Sequence, residues 1–342
     1  MNFKKLVAAV VVCSAVFQLQ AQDIHFTQFN LSPLTINPAF TGMHAGMWRA
    51  SGIYRTQWAT VTAPYKTTGL SFDMPIAKDI GEDDNLALGV NVFSDQAGDG
   101  NLLNNTVMGS VAYHKFFGQD AKTSLSVGMQ AGYSQKSINL ARLYFSDQFQ
   151  NGGYQPGISL ENLNNKTSMW LANVGAAWGH RISSKFAYTI GAAAFNLNQP
   201  RESLQRVQNA DVGLGMRING QLGATWLLGE RITLAPAVLY QTQSNASELV
   251  AGTEVKYILG DPEIRSVATS VFLGGWTRNG DANMVTGGVE FKGFRAGVAY
   301  DITNSKLASS ASGVGSFEVG LSYTQPNPLD FARRVFFPCL RF

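Results

Sequence analysis

From Asn85 onward the chain falls into short stretches in which apolar residues alternate with small or polar ones. Leu86, Leu88, Val90 and Val92 alternate with Ala87, Gly89 and Asn91. Leu125, Val127, Met129, Ala131 and Tyr133 alternate with Ser124, Ser126, Gly128, Gln130, Gly132 and Ser134. A period of two puts the two sets on opposite faces of a strand. One oily face and one small, polar face is what a strand needs to meet lipid outside and a wet or filled interior inside. Such runs span Met47 to Arg55, Thr67 to Pro75, Leu86 to Ser94, Thr106 to Phe116, Leu125 to Gln135, Trp170 to Arg181 and Ala187 to Leu197. They continue over Arg217 to Leu228, Ile232 to Gln241, Leu249 to Ile258, Val267 to Thr277, Met284 to Lys292, Phe294 to Ile302 and Phe317 to Thr324. The pattern predicts an all-β, antiparallel transmembrane β-barrel of about fourteen strands, an even number as in bacterial single-chain barrels.

The connections supply a second signal. Gly118 to Thr123, Ile182 to Phe186, Gly229 to Arg231, Leu259 to Arg265 and Gly293 are compact, whereas Ser137 to Met169, Asn198 to Met216 and Thr303 to Ser316 are long. Short periplasmic turns alternating with longer outside loops are the habit of outer-membrane barrels, with both termini in the periplasm. Ile76 to Asn85 and Thr242 to Glu248 break the alternation. On the run from Trp170, the two tryptophans Trp170 and Trp178 share one face about 26 Å apart, the spacing of two aromatic girdles. A soluble β-sandwich or lipocalin-like barrel also alternates, but its outward face is polar and charged. Here the face opposite the apolar one is mostly Gly, Ala, Ser and Asn.

Composition narrows the reading. Lys4 and Lys5 precede an apolar stretch from Leu6 to Phe17 and a small-residue cleavage site ending at Ala21, so residues 1–21 read as a signal peptide. A lipoprotein signal acylated on Cys13 is the competing reading, against which the size of Val12 stands. The formal net charge is +3, and two of its positive charges are those signal lysines, so no basic field for nucleic acid remains. No later segment reaches the 18 or so consecutive apolar residues of a spanning helix. Cys339 is the one cysteine beyond the signal, which excludes a disulfide framework or cysteine metal site within one chain.

Catalytic signals are missing. His25, His44, His114 and His180 are the only histidines; His180 would share the lipid face of Trp178 with no carboxylate near it in sequence, and no nucleophile elbow, zinc pair or phosphate loop occurs. Asp83-Asp84 and Asp95 to Asp99 lack the ligand spacing of a calcium loop and read as solvated turns. No cofactor or metal is expected. Arg295 and Asp301 on one strand, with Glu254 and Lys256 on another, face the interior, where they line a pore or pair with one another or with the amino-terminal segment.

Residues 22–46 are too irregular for a lipid-facing strand, and open backbone groups in lipid are costly, so this plug-like segment belongs in the periplasm or inside the barrel at 47–325, and the lumen is the favoured place. Asn37-Pro38 favours a turn, because proline fixes its own φ and biases the residue before it away from helix. Residues 326–342 read as a periplasmic tail, with prolines that oppose a regular strand and with Arg333, Arg334 and Arg341 available to an acidic partner.

The most distinctive text lies between Gln22 and Pro75. It runs Gln28-Phe29-Asn30, Asn37-Pro38-Ala39-Phe40-Thr41-Gly42, Tyr54-Arg55-Thr56-Gln57-Trp58, Ala63-Pro64-Tyr65-Lys66-Thr67, and later Ser94-Asp95 and Gly297-Val298-Ala299-Tyr300-Asp301. This order resembles the PorP/SprF family of type IX secretion and gliding-motility membrane proteins of Bacteroidota. The resemblance marks Gln28, Asn37, Pro38, Ala39, Phe40, Arg55, Gln57, Trp58, Pro64, Asp95 and the terminal aromatic Phe342 as motif positions, structural or partner-binding. It implies an outer-membrane protein that docks a large secreted adhesin-type protein through its C-terminal sorting domain and works with periplasmic type IX components. A passive or substrate-specific porin is the alternative. The long segment Ser137 to Met169 is unusual for the family and is expected to serve partner recognition.

Overall fold

The structure, a computed structural model, describes residues 25–326 apart from 59–62, 78–83, 119–120, 151–152, 156–162, 205–212, 245, 260–267 and 305–313. The signal peptide, the tail beyond Pro326 and Phe342 therefore lie outside the described residues.

Strands β1 (Arg49–Gln57), β2 (Tyr65–Ala77), β3 (Asn85–Ala97), β4 (Leu102–Phe117) and β5 (Thr123–Ser137) form the first part of the wall. A two-residue pair, β6 (Phe149–Gln150) and β7 (Gly153–Tyr154), interrupts it in the longest connection. The wall resumes with β8 (Lys166–Ser183), β9 (Phe186–Phe195), β10 (Arg217–Leu228), β11 (Ile232–Gln243) and β12 (Ala246–Ile258). It ends with β13 (Ser270–Arg278), β14 (Ala282–Phe291), β15 (Phe294–Thr303) and β16 (Val314–Thr324). Each wall strand pairs antiparallel with its neighbours in sequence order, and β1 pairs with β16, so 14 strands close into one barrel without an edge. Each of the fourteen runs marked by alternation coincides with a wall strand, Val267 at the start of one run lying outside the described residues. Several strands outrun their pattern: β8 starts at Lys166 and β4 at Leu102, where the ladder continues after the apolar alternation has faded.

Inside and outside are reversed relative to a soluble barrel. Val127, Met129 and Tyr133 of β5 are exposed, as are Leu88, Val90 and Val92 of β3 and Val298, Tyr300 and Ile302 of β15. Their alternates Ser124, Ser126, Gln130, Ser134, Asn91, Asp301 and Thr303 are buried. An apolar skin over a polar interior puts the hydrocarbon of a bilayer on the outside of the closed ladder. Trp170 and Trp178 are 70% and 42% exposed, with Tyr133 and Phe117 beside them at 5.5 and 6.4 Å between ring centroids. They form the two girdle points expected of this strand.

The barrel has two unlike mouths. At one, β1 begins, β16 ends, and the connections 184–185, 229–231 and 292–293 are tight. Lys292 and Gly293 both have positive φ, 48° and 87°, the primed hairpin turn that matches strand twist and that glycine accommodates without strain. At the other mouth lie 138–165 and 196–216, the former carrying two single 3-10 turns besides β6 and β7. We call these the short-turn and long-connection mouths.

Candidate functional site: the luminal segment and its wall

Residues 25–46 run inside the barrel as three 3-10 turns, Phe29–Leu31, Pro33–Thr35 and Pro38–Phe40, joined by irregular backbone. Proline opens the second and third turns, where its missing N–H has no partner to lose. Asn37 caps the third: its side-chain oxygen accepts the Ala39 N–H at 2.9 Å. Phe29, Ile36, Ala39 and Phe40 join Leu239, Val250, Trp276 and Met284 of the wall in a small apolar core, with Phe29 edge-on to Trp276 at 5.0 Å. A second core joins Phe26 to Ile53 and Phe93.

Three charged clusters hold this segment to the wall. Near the long-connection mouth, Arg55 of β1 donates to Glu318 of β16 at 2.8 Å, to Asp301 of β15 at 3.4 Å and to the His25 carbonyl at 3.2 Å. Glu318 in turn accepts the main-chain N–H groups of Thr27 and Gln28, and Asp301 accepts the Thr27 hydroxyl at 2.7 Å. Arg278 of β13 lies 3.6 Å from Asp301 and 3.5 Å from Glu248. Burying carboxylates this deeply is costly unless they are paired and hydrogen-bonded, and both are.

On β12, β14 and β15, beside the Lys292–Gly293 turn, Arg295 donates to Glu254 at 2.6 Å and to Glu290 at 2.6 Å, Lys256 lies 3.4 Å from Glu290, and the Asn30 amide reaches Glu254 at 3.4 Å. Of the arrangements open to Arg295, Asp301, Glu254 and Lys256, the structure therefore shows pairing with one another and with the luminal segment. At the short-turn mouth, Arg49 grips Asp73 of β2 with two donors at 2.9 and 2.8 Å, and Asp73 accepts the Gly42 N–H at 2.6 Å.

Between the clusters the wall is cut back to fit. Asn37 is fully buried; its amide donates to the carbonyls of Ala176 and Ala192 at 3.0 and 3.2 Å and to Gln221 at 3.1 Å. A Cβ at Gly175 would collide with the Asn37 side chain, and one at Gly128 with the backbone of Pro38 and Ala39. The small inward residues of the alternating pattern are thus the imprint of the segment as well as of strand packing.

Among the motif positions, Gln28, Asn37, Pro38, Ala39, Phe40 and Arg55 come together in this luminal assembly. Gln57, Trp58, Pro64 and Asp95 do not: they sit on the β1–β2 and β3 ends at the long-connection mouth. There Trp58, at φ 54°, donates its N–H to the Gly315 carbonyl at 3.0 Å and packs edge-on against Tyr65, while Asp95 accepts the Thr67 hydroxyl. Glu318, Asp73, Asn219 and Gln221 were not among the expected site residues. Glu318 and Asp73 carry a signal in retrospect, since each is an acid on the inward side of a strand whose neighbours Phe317, Val319 and Phe72 face out.

The ends of the segment are at opposite mouths. His25 lies 4.0 Å from Glu248, beside the β11–β12 hairpin at the long-connection mouth, whereas Gly46 and Met47 join β1 at the short-turn mouth, where the Met47 N–H meets the Gln325 carbonyl. The first and last strands share a mouth, and the amino-terminal end of the described chain does not share it.

A closed barrel with an apolar outer face, whose lumen holds residues 25–46, has the fold of an outer-membrane β-barrel. Residues 18–323 match the family model of the type IX secretion system membrane protein PorP/SprF, and the chain belongs to that family. No curated protein matches the chain. Among solved structures, the TodX monoaromatic hydrocarbon channel deltaS2 mutant is similar with a TM-score of 0.50 at 9% identity, covering 86% of this chain and 94% of that one. The toluene transporter TbuX of Ralstonia pickettii gives 0.49 at 10% identity over 86% and 94%. Similarity at such identity is one of fold.

Proposed function

We propose that this barrel is a membrane-embedded docking component of type IX secretion, which anchors or helps export a large secreted surface protein by way of that protein's C-terminal sorting domain. In this reading the long-connection mouth faces the cell exterior, and the short-turn mouth, with the starts and ends of the barrel strands, faces the periplasmic components of the machinery. It acts as a scaffold without catalysis. The observation that carries the reading is the lumen itself: within the secretion family to which the chain belongs, the inward charges that a porin would present to solute are spent on pairing and on holding residues 25–46.

The porin reading loses support for the same reason. A pore lined by charge needs ions and water in contact with it, and Arg55, Asp301 and Glu318 are each almost wholly buried. Purification of the native protein in mild detergent followed by mass spectrometry tests the proposal. A co-purifying secreted protein with a C-terminal sorting domain is the expected result. Solute uptake by liposomes carrying the barrel alone, with no such protein captured, would overturn it in favour of the porin.

A further inference from the structure

Closure leaves no whole strand at an edge, but the rim of the long-connection mouth is uneven. Strands β5 and β8 pair as far as Ser137 and Lys166, whereas the pairing of β8 with β9 begins only at Val174 and Ala194. Residues 166–173 of β8 therefore have a wall strand on one side only.

Along a strand the N–H and C=O of one residue point to one side, and those of the next residue to the other. Ala172 turns both groups away from β5: its carbonyl accepts the Leu197 N–H at 2.9 Å, and its N–H donates to the Asn198 side-chain oxygen at 3.2 Å. Trp170, Ser168 and Lys166 face the same way. The Asn198 amide covers the Trp170 carbonyl at 2.7 Å, and further up the Asn164 N–H donates to the Leu204 carbonyl at 2.6 Å. Between these two ties, the Trp170 N–H and both main-chain groups of Ser168 and Lys166 have no partner among the described residues. The chain that could have covered them turns off, since Arg201 bridges to Gly213 and the Pro200 carbonyl accepts the Leu214 N–H at 2.8 Å.

The result is an open length of sheet edge from Lys166 to Trp170, with Lys166, Ser168 and Trp170 all exposed. It starts at the aromatic girdle and rises about 13 Å from it at the usual strand spacing. Donors and acceptors in such a row are satisfied together by another extended main chain. A second copy of this barrel does not fit antiparallel to the edge. The two-fold axis of antiparallel pairing stands normal to the sheet, lies in the plane of the membrane, and would leave the copies inverted. The occupant is then a different polypeptide. A strand laid along the line of β9 runs antiparallel to β8, so it passes Trp170 first and Lys166 four residues later. Trp170 offers an apolar face, and no acid pairs with Lys166 among the described residues.

We infer that the edge from Lys166 to Trp170 is a strand-addition site for an extended segment of the docked secreted partner, one with an apolar residue followed four places later by an acid. The identity of the partner rests on the docking function proposed above; the affinity of the edge for a strand of this pattern does not.

The test uses the full chain folded in detergent and a fluorescent peptide, acetyl-Thr-Val-Thr-Val-Thr-Glu-Thr-amide, with anisotropy as the readout. Saturable binding is expected. The same peptide N-methylated at its central valine, which faces Ser168, should bind at least ~10-fold more weakly, because a main-chain donor is lost and the methyl group holds the strands apart. Reversing the order of the first valine and the glutamate should weaken binding about 3-fold, the scale of a cross-strand charge pair. Ser168→Pro removes an N–H that points away from β5, so the barrel should keep its heat-modifiable mobility while peptide binding falls at least ~10-fold. No saturable binding, or equal binding of the methylated peptide or by the folded proline variant, would overturn the proposal. So would protection of the Ser168 and Trp170 amides from hydrogen exchange before peptide is added, which would mean that the chain covers its own edge. Partner co-purification is scored separately. Capture of the secreted protein by Ser168→Pro as efficiently as by the native chain would overturn the edge as its site and leave docking standing; a native chain that binds the peptide but captures no secreted protein would overturn docking and, with it, the occupant named here.

Discussion

The two faces of the same strands are built to different standards. On the outer face of β5, Leu125, Val127, Met129 and Tyr133 need only be apolar, because their neighbours are fluid hydrocarbon that adapts to any shape. On the inner face, Gln130 of the same strand donates to Asn91 at 2.8 Å and accepts from Asn173 at 2.8 Å, and Gly128 leaves room for the turn at Pro38. One face satisfies a solvent and the other satisfies a particular piece of chain. Class should therefore matter outside and identity inside.

The sharpest way to break this comparison is to remove one partner of a buried charge cluster. Arg55→Met should cost about 3–5 kcal/mol, since Glu318 would stay buried beside the Thr27 and Gln28 N–H groups without its guanidinium. Guanidinium-induced unfolding in micelles, followed by tryptophan fluorescence, reads the change. A loss below about 1 kcal/mol would mean that the cluster is open to water. On the outer face a change of class should approach this effect: Val127→Arg is expected to cost ~2–4 kcal/mol near the bilayer midplane, measured by refolding into lipid vesicles. A neutral result there would place β5 away from lipid.

Smaller effects sharpen the contrast. Asn37→Ala removes the cap on Ala39 and the two amide hydrogens shared among two wall carbonyls and Gln221, about three bonds, and should cost about 3 kcal/mol at roughly 1 kcal/mol per lost bond. It should also raise the rate at which added protease cuts within residues 25–46 of the folded protein. By contrast, Val127→Leu on the lipid face should stay within about 0.5 kcal/mol of the native protein in the same vesicle assay. If the outer swap proved as costly as the loss of Asn37, the division between a solvent face and a specific face would fail.

This division also explains what could be read along the chain. Alternation is a local property, so all fourteen wall strands were legible, down to the shared face of Trp170 and Trp178. Strand ends were less so: Lys166 to Met169 and Leu102 to Asn105 pair in the ladder beyond the region where lipid demands apolar side chains. That residues 25–46 avoid lipid followed from their irregular backbone, and the lumen was favoured over the periplasm. Their partners did not. Asn37 meets Ala176, Ala192 and Gln221 across more than a hundred residues, and the pairing depends on barrel closure and register, to which no local pattern points. The motif text mixed two groups that only the fold separates. Asn37 to Phe40 and Arg55 belong to the luminal assembly, whereas Gln57, Trp58, Pro64 and Asp95 shape the rim of the long-connection mouth.

That the lumen is occupied by the chain itself is the claim on which the scaffold reading stands. Single-channel recording in planar bilayers tests it most directly, comparing the full chain with a variant lacking residues 24–44 whose barrel is shown to be folded by heat-modifiable mobility. The account predicts a silent full-length protein and discrete conducting steps from the deletion variant. Steady conductance from the intact chain, or a folded deletion variant with conductance no different from it, would contradict the account.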